Sequence, residues 1–392
     1  MTNNILNKNW GFSTKLVHSG EAPDKETGAV APILVRSKTY NQKEFGVASE
    51  FQYSRGKNPT RKKLEQKLEE LEGGGYATVF SSGVAAEAAF FFTLSPGDHI
   101  LCCQELYGGT FRLLDQLLSR FCISFDCVDF TNEKAILAGI KSNTKYLFVE
   151  SPTNPSFHVI DLELINKISK KTGIPFVVDA TFSPPCCIQN FDYGAETIIH
   201  SLSKYIAGHN DVIGGAVITK NENLHEKLLF LDKTIGAILS PDECYRVLQE
   251  VKTLDLRWKR SSENALIVAE FLQKQPQIEK VLYPGLPTHP GHEIAKKQTR
   301  GGFGAALSFV VKETKSLKKF VDTLRKNSPI IYGESLASPE TILAYPPLMS
   351  HKSLPREIRE SLGITDGFFR LSLGFEDPED IIRGFEVALK TL

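Results

Sequence analysis

Between residues 76 and 219 the chain alternates short runs rich in β-branched and aromatic residues with longer stretches whose apolar residues recur at helical spacing. Strands are expected at Tyr76–Phe80, His99–Cys103, Ile123–Val128, Tyr146–Glu150, Pro175–Asp179, Glu196–Ser201 and Ala216–Thr219. Helices are expected at Val84–Leu94, Phe111–Phe121, Glu133–Ile140 and Leu162–Lys171. A helix before them, Pro59–Leu71, puts Leu64, Leu68 and Leu71 on one face and stops at Gly73–Gly75. Strands separated by helices pair in parallel, and a parallel sheet is stable only with both faces covered. Ligands of such sheets gather beyond the carboxyl ends of the strands. Three polar features sit there: Ser81-Ser82-Gly83, Ser151-Pro152-Thr153-Asn154-Pro155 and Asp179.

The fold class is therefore α/β, with a mostly parallel central sheet and a smaller C-terminal α/β domain. Residues 1–54 are polar and aperiodic and are expected as an extended N-terminal arm, with 55–248 as the larger domain and 249–392 as the smaller one. A long helical region, Pro241–Gln273, leads from one domain to the other. It is followed by a strand at Phe303–Val310, a helix at Leu317–Arg325, a strand at Phe368–Leu373 and a closing helix at Pro378–Leu389. Charge is balanced, Lys+Arg 46 against Asp+Glu 46, and no basic block appears, which argues against a nucleic-acid partner. The longest apolar stretch, Val84–Leu94, is broken by Glu87 and falls far short of the ~20 residues that cross a bilayer. With no apolar signal core in the first thirty residues, no membrane association and a cytoplasmic location are expected. The seven cysteines show no Cys-x-x-Cys spacing, so they read as buried thiols, with neither a disulfide framework nor a metal site.

Asp179 ends the apolar run Pro175-Phe-Val-Val-Asp, and Lys204 follows the next strand in Ile198-Ile-His-Ser-Leu-Ser-Lys-Tyr. A carboxylate and an amine at the ends of neighbouring strands suit a pyridoxal cofactor. The amine forms the Schiff base, and the carboxylate keeps the pyridine nitrogen protonated so that the ring accepts electrons. An N-capping aspartate and a surface lysine would give the same pattern. Ser82-Gly83-Val84 adds a phosphate-sized cradle, because free N–H groups and the positive end of the following helix meet there. Ser201 and Ser203 would offer hydroxyls to the same anion.

The chain resembles the cystathionine-metabolism group of pyridoxal-phosphate enzymes, which includes cystathionine γ-synthase, the γ- and β-lyases, methionine γ-lyase and the homoserine sulfhydrylases. The resemblance covers nearly the whole chain, in order. It runs through Thr14-Lys-Leu-Val-His-Ser-Gly, Tyr53-Ser-Arg-Gly-Lys-Asn-Pro-Thr-Arg, Ser81-Ser-Gly-Val-Ala-Ala, Tyr107-Gly-Gly-Thr and Glu150-Ser-Pro-Thr-Asn-Pro. It continues through Val178-Asp-Ala-Thr-Phe, His200-Ser-Leu-Ser-Lys-Tyr, Gly208-His-Asn-Asp-Val, Tyr283-Pro-Gly-Leu-Pro and Arg370-Leu-Ser-Leu-Gly. The resemblance implies the aspartate-aminotransferase-like (type I) fold and pyridoxal 5'-phosphate as cofactor.

It also implies roles for individual residues. Lys204 is the Schiff-base residue and the base at Cα, Asp179 pairs with the pyridinium nitrogen, and Tyr107 stacks on the ring and assists proton transfer. Ser82, Gly83, Val84, Ser201 and Ser203 hold the phosphate, together with Tyr53 and Arg55 from a neighbouring subunit. Arg370 clamps the substrate carboxylate, helped by Asn154 and Ser335. Sharing of the site across an interface implies a homotetramer built as a dimer of dimers.

Departures from the family pattern fall at Ala180, Val84, Ser203, Gln52, the Pro184–Cys187 stretch and Ala337-Ser338, where a pair of glycines is customary. Gly109 after Tyr107-Gly108 is unlike methionine γ-lyase, and Glu334 resembles the acidic position facing the distal part of a cystathionine-sized ligand. A sulfur-containing amino acid is therefore the expected substrate. Cystathionine γ-lyase is placed ahead of γ-synthase and β-lyase, and a non-catalytic binding module remains as an alternative.

Two other motifs point elsewhere. Ser201-Leu-Ser-Lys204 and Lys171-Thr-Gly173 match penicilloyl-enzyme signatures, but in reversed order and without Ser-Asp-Asn between them. His289, His292 and Glu293 are separated by Pro290-Gly291, which precludes the helix of a zincin motif, so they read as surface loop residues.

Overall fold

The computed structural model describes residues 10–350, 352 and 356–392. Its larger sheet holds seven strands: β1 (Tyr76–Phe80), β2 (His99–Cys103), β3 (Ser124–Val128), β4 (Thr144–Glu150), β5 (Phe176–Asp179), β6 (Thr197–Ser201) and β7 (Gly215–Thr219). Their order is β1-β7-β6-β5-β4-β2-β3. The run β6-β5-β4-β2-β3 is parallel, and β7 lies antiparallel between β1 and β6. Every residue of β2, β5 and β7 is buried, as a sheet covered on both faces requires. Each fully buried Val, Ile or Leu there contributes roughly 1.5–3 kcal/mol.

Helix ends follow local chemistry. Of the first helices, α1 spans Phe12–His18, α2 Pro59–Leu71, α3 Gly83–Phe91 and α4 Gly108–Arg112. Asn58 caps α2 by accepting from the N–H groups of Thr60 and Arg61, with Pro59 in the first turn, where no N–H is needed. Ser82 caps α3 by accepting from Ala85 N–H at 3.0 Å. The smaller sheet, ordered β10-β11-β12-β9-β8, comprises β8 (Ile278–Leu282), β9 (Ala306–Val311), β10 (Ile331–Tyr332), β11 (Ile342–Ala344) and β12 (Phe368–Ser372). A separate apolar cluster built on Leu307, Phe309, Phe320, Phe369 and Phe385 forms its core.

Several expectations are corrected. The N-terminal segment is not wholly extended: α1 buries Leu16 in the main core, while the first nine residues of the expected arm lie outside the described residues. The expected helix Phe111–Phe121 is a composite of α4, a π-helical turn over Leu113–Leu117 and a 3₁₀ turn over Leu118–Phe121. Pro241–Gln273 is two helices, Pro241–Glu250 and Leu254–Gln273, joined by a 3₁₀ turn. The buried Arg257 guanidinium stabilises that break, donating to the Glu250, Tyr205 and Ile206 carbonyls and to Thr253 Oγ1. His289 is buried and accepts from Gly291 N–H, and a helix starts at His292. Cys122 and Cys127 are exposed, whereas the other five thiols are buried.

Candidate active site

The site forms where β4, β5 and β6 end. Glu150 pairs in register with Asp179, and Asp179 with Ile199, so β4 and β5 end side by side and β6 runs two residues further. Lys204 follows in the turn after β6, its N–H donating to Ser201 O. The Lys204 amine is half-buried and donates to Ser335 Oγ at 3.1 Å. Burial, with the nearby Arg370 guanidinium adding to it, draws its pKa down to about 8. Lys204 is thus far closer to the neutral amine at physiological pH than a surface lysine.

Arg370 lies on β12 and reaches the same space from the smaller sheet. Its guanidinium donates to Asn154 Oδ1 and to Ser335 O, each at 2.9 Å, and its buried Nε has no partner. Burial lowers its pKa to about 10, still fully charged at neutral pH. A buried cation with an open N–H calls for an anion. Glu334 lies close enough to act electrostatically on Lys204, Arg370 and Tyr107. Ser335 at φ 90° and Ala337 at φ 68° sit in the left-handed region. Non-glycine residues there store about 1–3 kcal/mol each. That strained loop gives its Ser335 hydroxyl to Lys204 and its Ser335 carbonyl to Arg370.

The small-residue turn before α3 is built by close approach. A Cβ on Gly83 would lie 2.8 Å from Ser201 Cβ, and one on Gly215 would lie 2.1 Å from Ser82 O. Only glycine lets the N-terminus of α3 meet the Ser201 side chain. Val84, next on α3, is partly exposed beside it. Ser203 Oγ accepts from Gly214 N–H at 3.0 Å and faces Gly214 O at 3.3 Å. Tyr107 precedes α4, and its ring folds back so closely that a Cβ on Gly109 would lie 2.4 Å from it. Burial raises its pKa.

Sequence reasoning gave no role to three groups found here. Glu150 accepts from Tyr107 N–H and from Asn154 N–H, each at 3.0 Å, so one carboxylate ties two site loops together. Thr181 donates its N–H to Asp179 Oδ1 at 3.0 Å and accepts from Ser201 N–H at 2.9 Å. Its position two residues after an aspartate was the available signal. Glu87, on α3, is also buried against Asp179. Burial raises the Asp179 pKa, opposed by hydrogen bonds from Thr181 and by the His200 imidazole.

The structure thus brings Lys204, Arg370, Asn154, Ser335, Asp179, Tyr107 and the Ser82–Val84 turn to one place. Tyr53 and Arg55 lie elsewhere. They line an open cavity of about 600 Å³ with Lys57, Leu229 and Lys233, where Arg55 donates to Lys233 O. Among the described residues no group of three or more His, Cys, Asp or Glu could hold a metal ion, and no helix is long and apolar enough to cross a membrane.

Residues 13–390 match the model of a family described as Cys/Met metabolism PLP-dependent enzyme. A cystathionine β-lyase of Lactococcus lactis is 41% identical over 97% of this chain and 99% of its own length. A cystathionine γ-lyase of Bacillus subtilis is 38% identical over the same shares. The crystal structure of cystathionine γ-lyase from Lactobacillus plantarum complexed with L-serine superposes with a TM-score of 0.93 at 37% identity, covering 97% of this chain and 99% of that one.

Proposed function

We propose, from the premise that the chain belongs to the Cys/Met metabolism PLP-dependent enzyme family, that it cleaves a carbon–sulfur bond of cystathionine. The residues present fit pyridoxal 5'-phosphate. The Gly83 turn sets the N-terminus of α3 against the Ser201 side chain, and helix N–H groups at such an end favour an anion. Ser82, Gly83, Val84, Ser201 and Ser203 would hold the phosphate there, Asp179 would face the ring nitrogen, and Lys204 would carry the covalent link. When bound, the cofactor supplies an aldehyde for the substrate amine and a ring that withdraws electrons from Cα. Lys204 would also take the Cα proton, which its lowered basicity permits near neutral pH. Arg370 holds the substrate carboxylate with the N–H that the fold leaves unpaired, and Asn154 and Ser335 fix the guanidinium plane. Tyr107 would pack on the ring and assist proton transfer, and Glu334 would face the distal end of the substrate. The single observation carrying this reading is the half-buried Lys204 amine beside a buried, incompletely paired Arg370.

Sequence reasoning placed γ-elimination first, giving cysteine, 2-oxobutanoate and ammonia. β-Elimination demands only one proton abstraction from Lys204, and the β-lyase relative is more similar than the γ-lyase. We therefore put β-cleavage forward, giving homocysteine, pyruvate and ammonia, with γ-cleavage as the second reading. Product analysis with cystathionine separates them. No turnover of cystathionine, with rapid consumption of an acylated homoserine plus cysteine, would overturn both in favour of the synthase reaction.

The proposal extends to assembly as a homotetramer, a dimer of dimers in which Tyr53 and Arg55 complete the neighbouring subunit's phosphate site. The exposure of Phe45, Val30, Ile213 and Phe230 supports buried subunit contacts. Sedimentation at working concentration would show a monomer if this is wrong.

A further inference from the structure

Glu87 is the one acid in the longest apolar run of the chain, and it is 3% exposed. A lone carboxyl inside a helix face of alanines and phenylalanines is costly unless it has partners. Its partners are specific. Thr110 Oγ1, on α4 just after Tyr107, donates to the Glu87 carboxyl, lying 2.7 and 2.9 Å from its two oxygens. On the other side Glu87 faces Asp179, and the two carboxyl groups act on one another directly. Two carboxyl groups in such contact need a proton between them, because two buried anions at that distance repel strongly. Asp179 already accepts from Thr181 N–H and faces the site, whereas Glu87 sits deeper, beside Cys102 and near Glu150. Burial and the neighbouring Asp179 charge both favour the protonated form of Glu87.

We propose that Glu87 is a positioning residue: as a protonated acid held by Thr110, it donates a hydrogen bond to Asp179, and so keeps Asp179 the anion and leaves the proton shared with the cofactor on the ring nitrogen. A donor to a carboxylate lowers that carboxylate's proton affinity. Without the donor, Asp179 becomes the stronger base and draws the shared proton off the ring, and the ring becomes a poorer electron acceptor. The inference rests on Asp179 being the ring-nitrogen partner.

The test uses holoenzyme carrying cofactor labelled with ¹⁵N in the ring, compared as wild type, Glu87→Gln and Glu87→Met. Glutamine keeps a donor of the same shape, and methionine keeps the volume without one. The ring-nitrogen shift is expected at the protonated value in wild type and Glu87→Gln, and displaced toward neutral pyridine in Glu87→Met, with kcat lowered about tenfold and KM little changed. An infrared difference spectrum of wild type minus Glu87→Gln is expected to show a protonated carboxylic acid. Loss of an ionised carboxylate instead would overturn the inference, as would an unshifted ring nitrogen in Glu87→Met. If Glu87→Met does not fold, the infrared comparison decides alone. An unprotonated ring in the wild type itself would refute the Asp179 assignment, a failure distinct from that of Glu87.

Discussion

Replacing Arg370 by lysine keeps the positive charge but removes the planar fork. In the structure two arms of that fork are committed, to Asn154 Oδ1 and Ser335 O, each at 2.9 Å, while Nε has no partner, so the fork keeps N–H groups for the proposed substrate carboxylate. An ammonium cannot satisfy both internal acceptors and still present a directed N–H to a ligand. A hydrogen bond to a charged group is worth about 1.5–3 kcal/mol, so Arg370→Lys should lower kcat/KM by roughly 10- to 150-fold. Most of that loss should appear in KM, because the carboxylate is gripped alike before and during bond cleavage. The assay is steady-state turnover of cystathionine, with the cofactor's absorption confirming that the variant still binds it. A change in kcat/KM smaller than about twofold in a folded, cofactor-loaded variant would refute the assignment of Arg370 to the substrate carboxylate.

Two further outcomes follow from the same geometry. Capture of cofactor by cofactor-free protein requires the neutral Lys204 amine, whose pKa is lowered to about 8. The rate of colour formation should rise with pH and level off above about 8; a rate still climbing near about pH 10, as for an ordinary lysine, would contradict the lowered value. Gly83→Ala places a methyl group 2.8 Å from Ser201 Cβ. It should lower the thermal midpoint by an amount equivalent to about 1–3 kcal/mol and weaken cofactor binding in an equilibrium titration.

Much of the larger sheet was legible because its strands are short, apolar and bounded by polar ends, and strand ends set where a ligand sits. The positions of Asp179 and Lys204 beyond neighbouring strand ends were therefore readable from local pattern. The helix Glu222–Ile235 carried its own signals, Asn221 before it and Gly236 after it, but was not read. The partners that organise the site were not legible in local pattern, only through the family resemblance, because they meet from distant segments. Arg370 reaches Asn154 across 216 positions, and Lys204 reaches Ser335 across 131. The left-handed backbone at Ser335 and Ala337 was hidden for a different reason: neither residue type announces such a conformation. Glu87 was visible only as an interruption of an apolar run, and its meaning required seeing Asp179 beside it.

The most direct test of the account is to treat the yellow holoenzyme with borohydride, digest it and locate the fixed cofactor by mass spectrometry. The expected result is a single modified peptide, His200-Ser-Leu-Ser-Lys-Tyr, carrying the cofactor on Lys204. A cofactor fixed to any other lysine, or a protein that stays colourless and unlabelled when given pyridoxal phosphate, would contradict it.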